Sequence, residues 1–192
     1  MKASEIERLI GESGLAPFLS LNSNGRVDCE KVDLKFSSIN WRYLVEDNEL
    51  KFPFGIVVGF DVSNCNLKSM KNFPLECCGD FRARHNELTS IKGIPPRAQM
   101  IDLRYNPITS FEGIGTKVKS CKSLWMPAIE SHMLGVLQIK DLRSLYLQTI
   151  DMSMDTYRAF QIVLKYIDPK NRNIVQCQRE LIENDLDEYA EF

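Results

Sequence analysis

Two histidines, His85 and His132, and six cysteines, Cys29, Cys65, Cys77, Cys78, Cys121 and Cys177, are the side chains best suited to nucleophilic or metal chemistry. Their spacing argues against both. A Cys–His nucleophile needs thiol and imidazole in contact. Cys65 falls at an inward position of the pattern described below, and Cys78 precedes a strand. No CxxC pair suggests zinc, and the adjacent Cys77 and Cys78 cannot easily face one metal, so they read as packing between repeats. The glycines are scattered and form no phosphate loop. No paired carboxylates stand out from the acidic helices. The expectation is no enzyme, no cofactor and no bound metal. A second set of residues, Arg82, Arg84, His85, Arg104, Tyr105, Trp125 and Tyr146, points to recognition instead, because Arg, Trp and Tyr are the types enriched at interface hot spots.

The elements that would position this set come from an internal repeat. Residues 60–74 (FDVSNCNLKSMKNFP), 81–95 (FRARHNELTSIKGIP) and 101–115 (IDLRYNPITSFEGIG) share the form apolar-x-apolar-x-x-(Asn or Cys)-x-apolar, followed by an apolar residue three later. The first two apolar positions, Phe60 and Val62, Phe81 and Ala83, Ile101 and Leu103, alternate as a strand with one buried face requires. The sixth position, Cys65, Asn86 and Asn106, is placed to bond turn backbone that has left the strand ladder. Pro74, Gly93, Pro95, Pro96, Gly113 and Gly115 turn the chain back. This is the leucine-rich-repeat pattern.

Weaker copies flank these three. Residues 122–129 fit with Leu124 and Ile129 in register and Pro127 at the asparagine position. Residues 145–152 fit with Leu145, Leu147 and Met152 in register. Residues 32–39 fit with Val32, Leu34 and Ile39. The predicted organisation is one compact α/β domain. A helix and hairpin cap spans 1–40, with Ser4 and Glu7 as a capping box and Asn24-Gly25 as a hairpin turn. An insertion with Trp41 and Tyr43 spans 41–59. Repeats with a parallel sheet on the concave face span 60–152, and a helical cap spans 153–192. In that cap Tyr157, Phe160, Val163, Leu164 and Ile167, then Val175, Leu181, Ile182 and Leu186, follow helical spacing. Its last residues are acidic, which reads as a solvated outer face. The alternative for them is a decoy surface for a basic partner.

Whole-chain numbers fit a soluble binding module. The net charge is -2, so nothing drives the chain globally toward nucleic acid or anionic lipid. No apolar run reaches the length of about 18 residues that a membrane span needs. The amphipathic, acidic N-terminus reads as a helix and not a signal peptide, so a cytoplasmic location with reduced thiols is expected. No feature indicates an oligomeric state.

Alternate strand positions face outward. The predicted columns are Asp61, Arg82, Asp102, Ser123 and Tyr146; Ser63, Arg84, Arg104, Trp125 and Gln148; and Asn64, His85, Tyr105, Met126 and Thr149. The competing structural reading has Trp125 tucked into the fourth repeat and the arginines paired with Asp61 and Asp102. Arginine with aromatics also suits single-stranded nucleic acid. Residues 78–108, however, hold five Lys or Arg against three Asp or Glu, a small excess, so an acidic protein surface is the expected partner.

The succession NSNGRVDCEKVDL, FDVSNCNLKSM, FRARHNELTSIKGIPP, IDLRYNPITSFEGI, IKDLRSLYL and CQRELIENDLDEYAEF resembles a family of small leucine-rich-repeat proteins of tailed bacteriophages, over residues 20 to 192. The chain departs from that family in losing the ladder asparagine after the third repeat. The resemblance implies a solenoid acting in an infected bacterial cytoplasm. By analogy it implies a non-catalytic accessory protein that binds and blocks a host protein such as a defence toxin, for instance one that ADP-ribosylates DNA.

Overall fold

Strands that are apolar at every second residue bury that face only by stacking on one another, and in the computed structural model they form a parallel-strand solenoid of about four turns. The structure describes residues 2–12, 19–29, 44–148, 150 and 152–192. The copy expected at 32–39, with Trp41, Tyr43 and Thr149, lies outside them. Helix α1 (Ala3–Glu12) buries Ile6, Leu9 and Ile10. The Ile6 amide donates to the Lys2 carbonyl, so the helix starts one residue before the expected cap and Ser4 lies inside its first turn. Strands β1 (Ser20–Leu21) and β2 (Val27–Cys29) form the antiparallel hairpin around Asn24-Gly25, with Gly25 at φ +69°. A second hairpin, β3 (Val45–Glu46) and β4 (Glu49–Leu50), precedes β5 (Phe54–Val57).

Each turn then contributes a pair of short strands meeting at a corner. Strand β5 leads to β6 (Phe60–Asp61), and β7 (Glu76–Cys77) leads to β8 (Asp80–Arg82). Residues 97 and 120 precede β9 (Met100–Asp102) and β10 (Ser123–Met126). Lys140 precedes β11 (Ser144–Leu147). One ladder is a five-stranded sheet ordered β11-β10-β9-β8-β6, parallel throughout. The other runs β1-β2-β5-β7 and continues as bridges Arg97–Ser120 and Ser120–Lys140. At the corner before β8, a Cβ on Gly79 would meet the Val58 carbonyl oxygen at 2.8 Å, so only glycine lets the turns approach.

The core is a set of columns parallel to the solenoid axis. Phe60, Phe81, Ile101, Leu124 and Leu145 form one of them by register. Phe54, Phe60, Phe73 and Phe81 interlock with ring centroids 5.0 to 6.1 Å apart, within the range where aromatic pairs add to simple burial. The ladder asparagines act as their position predicts. Asn86 Oδ1 accepts from the Cys65 and Leu67 amides, both at 3.0 Å, and its Nδ2 donates to the Val62 and Ala83 carbonyls at 2.9 and 3.0 Å. Asn106 Nδ2 donates to Ala83 and Leu103 carbonyls, and its Oδ1 accepts from the Leu88 amide. Each amide thus ties its own turn to the one before.

The fourth repeat departs from the expected register. The step from 101 to 124 is 23 residues, where the steps before it (60 to 81 and 81 to 101) are 21 and 20. The return of the third repeat winds as a short helix, α2 (Ile114–Lys117), entered through Gly113 at φ +67°, and this consumes more chain. Leu124 therefore takes the first apolar position, and the asparagine position falls on Ile129, not Pro127. The Ile129 carbonyl accepts instead from Thr156 Oγ1 at 3.1 Å. Thr156 belongs to helix α3 (Met154–Lys165), capped by Ser153 and buried through Ala159, Ile162 and Val163. Helix α4 (Ile174–Ile182) buries Cys177 and Leu181, whereas Val175 and Ile182, expected inward, are 68% and 48% exposed. Tyr157 is likewise exposed. Between the helices Arg172 donates to the carbonyls of Ile139, Leu142 and Ile167, closing backbone that no further turn would meet.

Asn86→Ala strips partners from at least three buried backbone groups, each worth about 1 kcal/mol or more, and is expected to lower the unfolding free energy by about 3 kcal/mol in urea titrations. Cys65→Ala, losing one thiol contact to the Ser63 carbonyl, is expected to cost less than about 1 kcal/mol. Burial pushes the Cys65 thiol up to about 11, and those of Cys121 and Cys177 up to about 12. At pH 8 the Cys65 thiolate fraction is then about one in a thousand. Iodoacetamide on the native protein should modify exposed Cys78 first, as read by peptide mass spectrometry.

Candidate functional site

The outer face of the five-stranded sheet carries Arg82, Trp125 and Tyr146, and the segments leaving β8 and β9 carry Arg84, His85, Arg104 and Tyr105, in a different arrangement from the expected columns. Register places Asp61, Arg82, Asp102, Trp125 and Tyr146 in one row. Trp125 therefore lies beside Asp102 and Tyr146, while Ser123 pairs with Met100 and Met126 is fully buried. The warning in the sequence was Lys122, which the expected register would have put at a core position.

Two stacks result. The Arg104 guanidinium lies 4.0 Å from the centroid of the Trp125 ring, and Trp125 packs on Tyr146 at 4.5 Å with the rings tilted by 37°. Arg104 is clamped in place by Asp102, whose Oδ1 and Oδ2 accept from Nε and Nη2 at 3.0 and 2.8 Å. Asp102 is only 3% exposed, and its carboxylate also raises the Arg104 pKa. Trp125 Nε1 donates to Ser123 Oγ at 2.9 Å, which fixes the indole, and its ring remains half-buried. Tyr146 is 47% exposed. The second stack is His85 on Tyr105, with centroids 4.1 Å apart and planes within 9°. Both residues have positive φ, +53° and +58°, as does Asn64 (+60°) at the same point of the preceding turn. The repeat demands this left-handed turn. Asparagine and histidine are among the side chains that adopt it most readily, whereas a bulky tyrosine is strained there by about 1 kcal/mol or more.

The competing structural reading of the arginines holds for one of them. Arg104 pairs with Asp102, but Arg82 pairs with Asp80 at 3.2 Å and not with Asp61. Among the described residues the Arg84 guanidinium has neither an ion pair nor a hydrogen bond. Gln148, expected only as an outward residue, spans the place where Pro127 interrupts the ladder. Its Oε1 accepts from the Tyr105 amide at 2.6 Å and so holds the second stack. Sequence patterns carry no signal for such a bridge.

Elsewhere, His132 forms a cluster that the sequence did not suggest. Its Nδ1 lies 3.0 Å from Ser110 Oγ and 2.8 Å from Ser131 Oγ, and its Nε2 lies 3.2 Å from Glu191 Oε2. The His132 amide donates to the Glu188 carbonyl. The ring is a tie between the solenoid and the C-terminal segment, with both nitrogens engaged. Neither Cys65 nor Cys78 contacts a histidine among the described hydrogen bonds, and the described residues include no cluster of three or more His, Cys, Asp or Glu able to hold a metal. A cavity of about 580 Å³ is lined by return-loop residues including Met70, Phe73, Leu75, Lys92 and Ile94, and by none of the seven. No helix among the described residues is long and apolar enough to cross a membrane.

Comparison with protein-family models, curated proteins and solved structures found no match to the chain. The functional reading therefore stands on the face itself.

Removing one partner of a desolvated ion pair leaves the other charge stranded, a loss of about 3 kcal/mol. Arg104→Met is expected to destabilise by that order in chemical denaturation. It should also shift Trp125 fluorescence, because the cation over the indole is gone.

Proposed function

We propose that this chain is a non-catalytic, leucine-rich-repeat-type binding module that docks a protein on the outer face of its five-stranded sheet. The observation that carries the reading is the Arg104–Trp125–Tyr146 stack, held rigid from beneath by Asp102 and Ser123. Large aromatic rings immobilised before binding lose little conformational freedom on contact, which is how a small number of residues come to dominate an interface. Strain at Tyr105 supports the same reading, since the fold itself would be better served by asparagine there. The partner is a protein with an acidic surface. Its host origin, a blocking role against a defence toxin and a cytoplasmic setting extend the reading by the phage-family resemblance alone.

The second reading is single-stranded nucleic acid, favoured by the same stack because bases pile on aromatic and guanidinium planes. It predicts binding that falls steeply with salt. The protein reading is tested with the partner recovered on the tagged chain and then titrated calorimetrically. A Trp125→Leu/Tyr146→Ala variant with an unchanged fold by circular dichroism is expected to weaken that partner at least about tenfold, while Lys92→Glu, away from the sheet face, leaves it unchanged. Full affinity in the aromatic variant would sink the choice of face.

A further inference from the structure

The outer face holds a group of polar atoms that the fold leaves without partners, and they sit together. Ser63 Oγ, Arg82 Nε and Arg84 Nε are buried and make no hydrogen bond. The other such atom among the described residues is Arg172 Nε, whose guanidinium already donates to three carbonyls. Asp61 pairs with Arg82 across β6 and β8, so two residues further along Ser63 stands beside Arg84. The Asn64 amide donates to the Arg84 carbonyl at 3.1 Å and confirms that the two strands still run together there. A desolvated donor with no acceptor is unfavourable in the free protein, and native folds keep few of them.

The neighbouring charges narrow what could satisfy this group. Asp80 is engaged by Arg82. Asp61 Oδ1 accepts from the Ser63 amide at 3.0 Å. Asp102 is taken by Arg104. Arg84 is left as the cation of this face without a counter-charge among the described residues, and Ser63 beside it has a hydroxyl free to donate. The planar fork of a guanidinium matches the two oxygens of a carboxylate.

We propose that Arg84, with the Ser63 hydroxyl, is the subsite for a carboxylate presented by an acidic segment of a protein partner. The inference rests on the reading of this face as a docking surface. A guanidinium beside a hydroxyl matches the two oxygens of one carboxylate, and because Ser63 Oγ and Arg84 Nε are buried in the free protein, both side chains must turn outward to meet it. With one unpaired cation flanked by Asp61, Asp80 and Asp102, the face suits a single carboxylate presented by a protein segment and not the unbroken charge of a phosphate backbone. Arg104 takes no part in anion recognition, because Asp102 already occupies its fork.

The test uses the full chain, a fluorescein-labelled peptide of alternating glutamate and serine, and a labelled oligothymidylate, with binding read by fluorescence anisotropy at low salt. Arg84→Met is expected to weaken the peptide at least about tenfold, and Ser63→Ala about threefold. Arg84→Met should leave the melting temperature unchanged or raise it, since it removes a buried Nε that no protein group satisfies. Peptide affinity retained in folded Arg84→Met, a clear fall in its melting temperature, no binding of the peptide to the wild-type chain, or tighter binding of the oligothymidylate would each overturn the subsite. Tyr146→Ala separates the two levels. Loss of the peptide in Tyr146→Ala but not in Arg84→Met would remove the subsite and leave the docking face standing, whereas peptide binding unaffected by either variant would remove both.

Discussion

Every part of this molecule depends on backbone left over at the end of one turn finding its partner in the next. A parallel strand so short makes few ladder bonds of its own. The turn after it would bury amides and carbonyls with nothing to bond. Asn86 and Asn106 resolve this with a side chain that both accepts and donates, each bonding its own turn and the preceding one. Because the amide must sit at one place relative to both turns, it also sets the register. Where asparagine stops, at Ile129, that side-chain tie is lost, and the contact found there is a different one, Thr156 of the following helix bonding the Ile129 carbonyl.

The arginines show how one residue type is divided among incompatible tasks. Arg26 donates to the carbonyls of Phe54 and Phe73, and Arg172 to those of Ile139, Leu142 and Ile167, so both spend their guanidinium on backbone carbonyls. Burial lowers the pKa of each. Arg104 is committed to Asp102 and to the Trp125 ring. Arg84 alone of these has no protein acceptor for its guanidinium among the described residues. Their roles are decided by which carbonyl or carboxylate lies within about 3 Å, and for Arg26, for Arg172 and for the stack of Arg104 on Trp125 that includes contacts across twenty residues or more.

Much of the fold was legible before the structure. The alternation of Phe60 with Val62, Phe81 with Ala83 and Ile101 with Leu103 marked the strands, and all six are fully buried. The Asn24-Gly25 turn marked the hairpin. Legibility failed where a return segment changed length. Helix α2 lengthened one step by two or three residues and moved Trp125 from the row of Arg104 into the row of Asp102. It failed again on α4, where Val175 and Ile182 are apolar at helical spacing yet face outward, because the inward face is chosen by what the helix packs on and not by apolar content alone.

What the sequence by itself determined is therefore periodic: in the three regular repeats, the strand faces, the turn chemistry, the inward columns and the residues displayed on the outside. These follow from local rules, since a side chain two residues away on a strand must share its face. What only the tertiary structure decided is which displayed residues meet. The stack of Arg104 on Trp125 and Tyr146, the bridge from Gln148 to the Tyr105 amide and the unpartnered Arg84 all arise between turns. Neighbours between turns are set by register, and register is a sum over the lengths of every intervening loop, so one short helix in a return changes who touches whom.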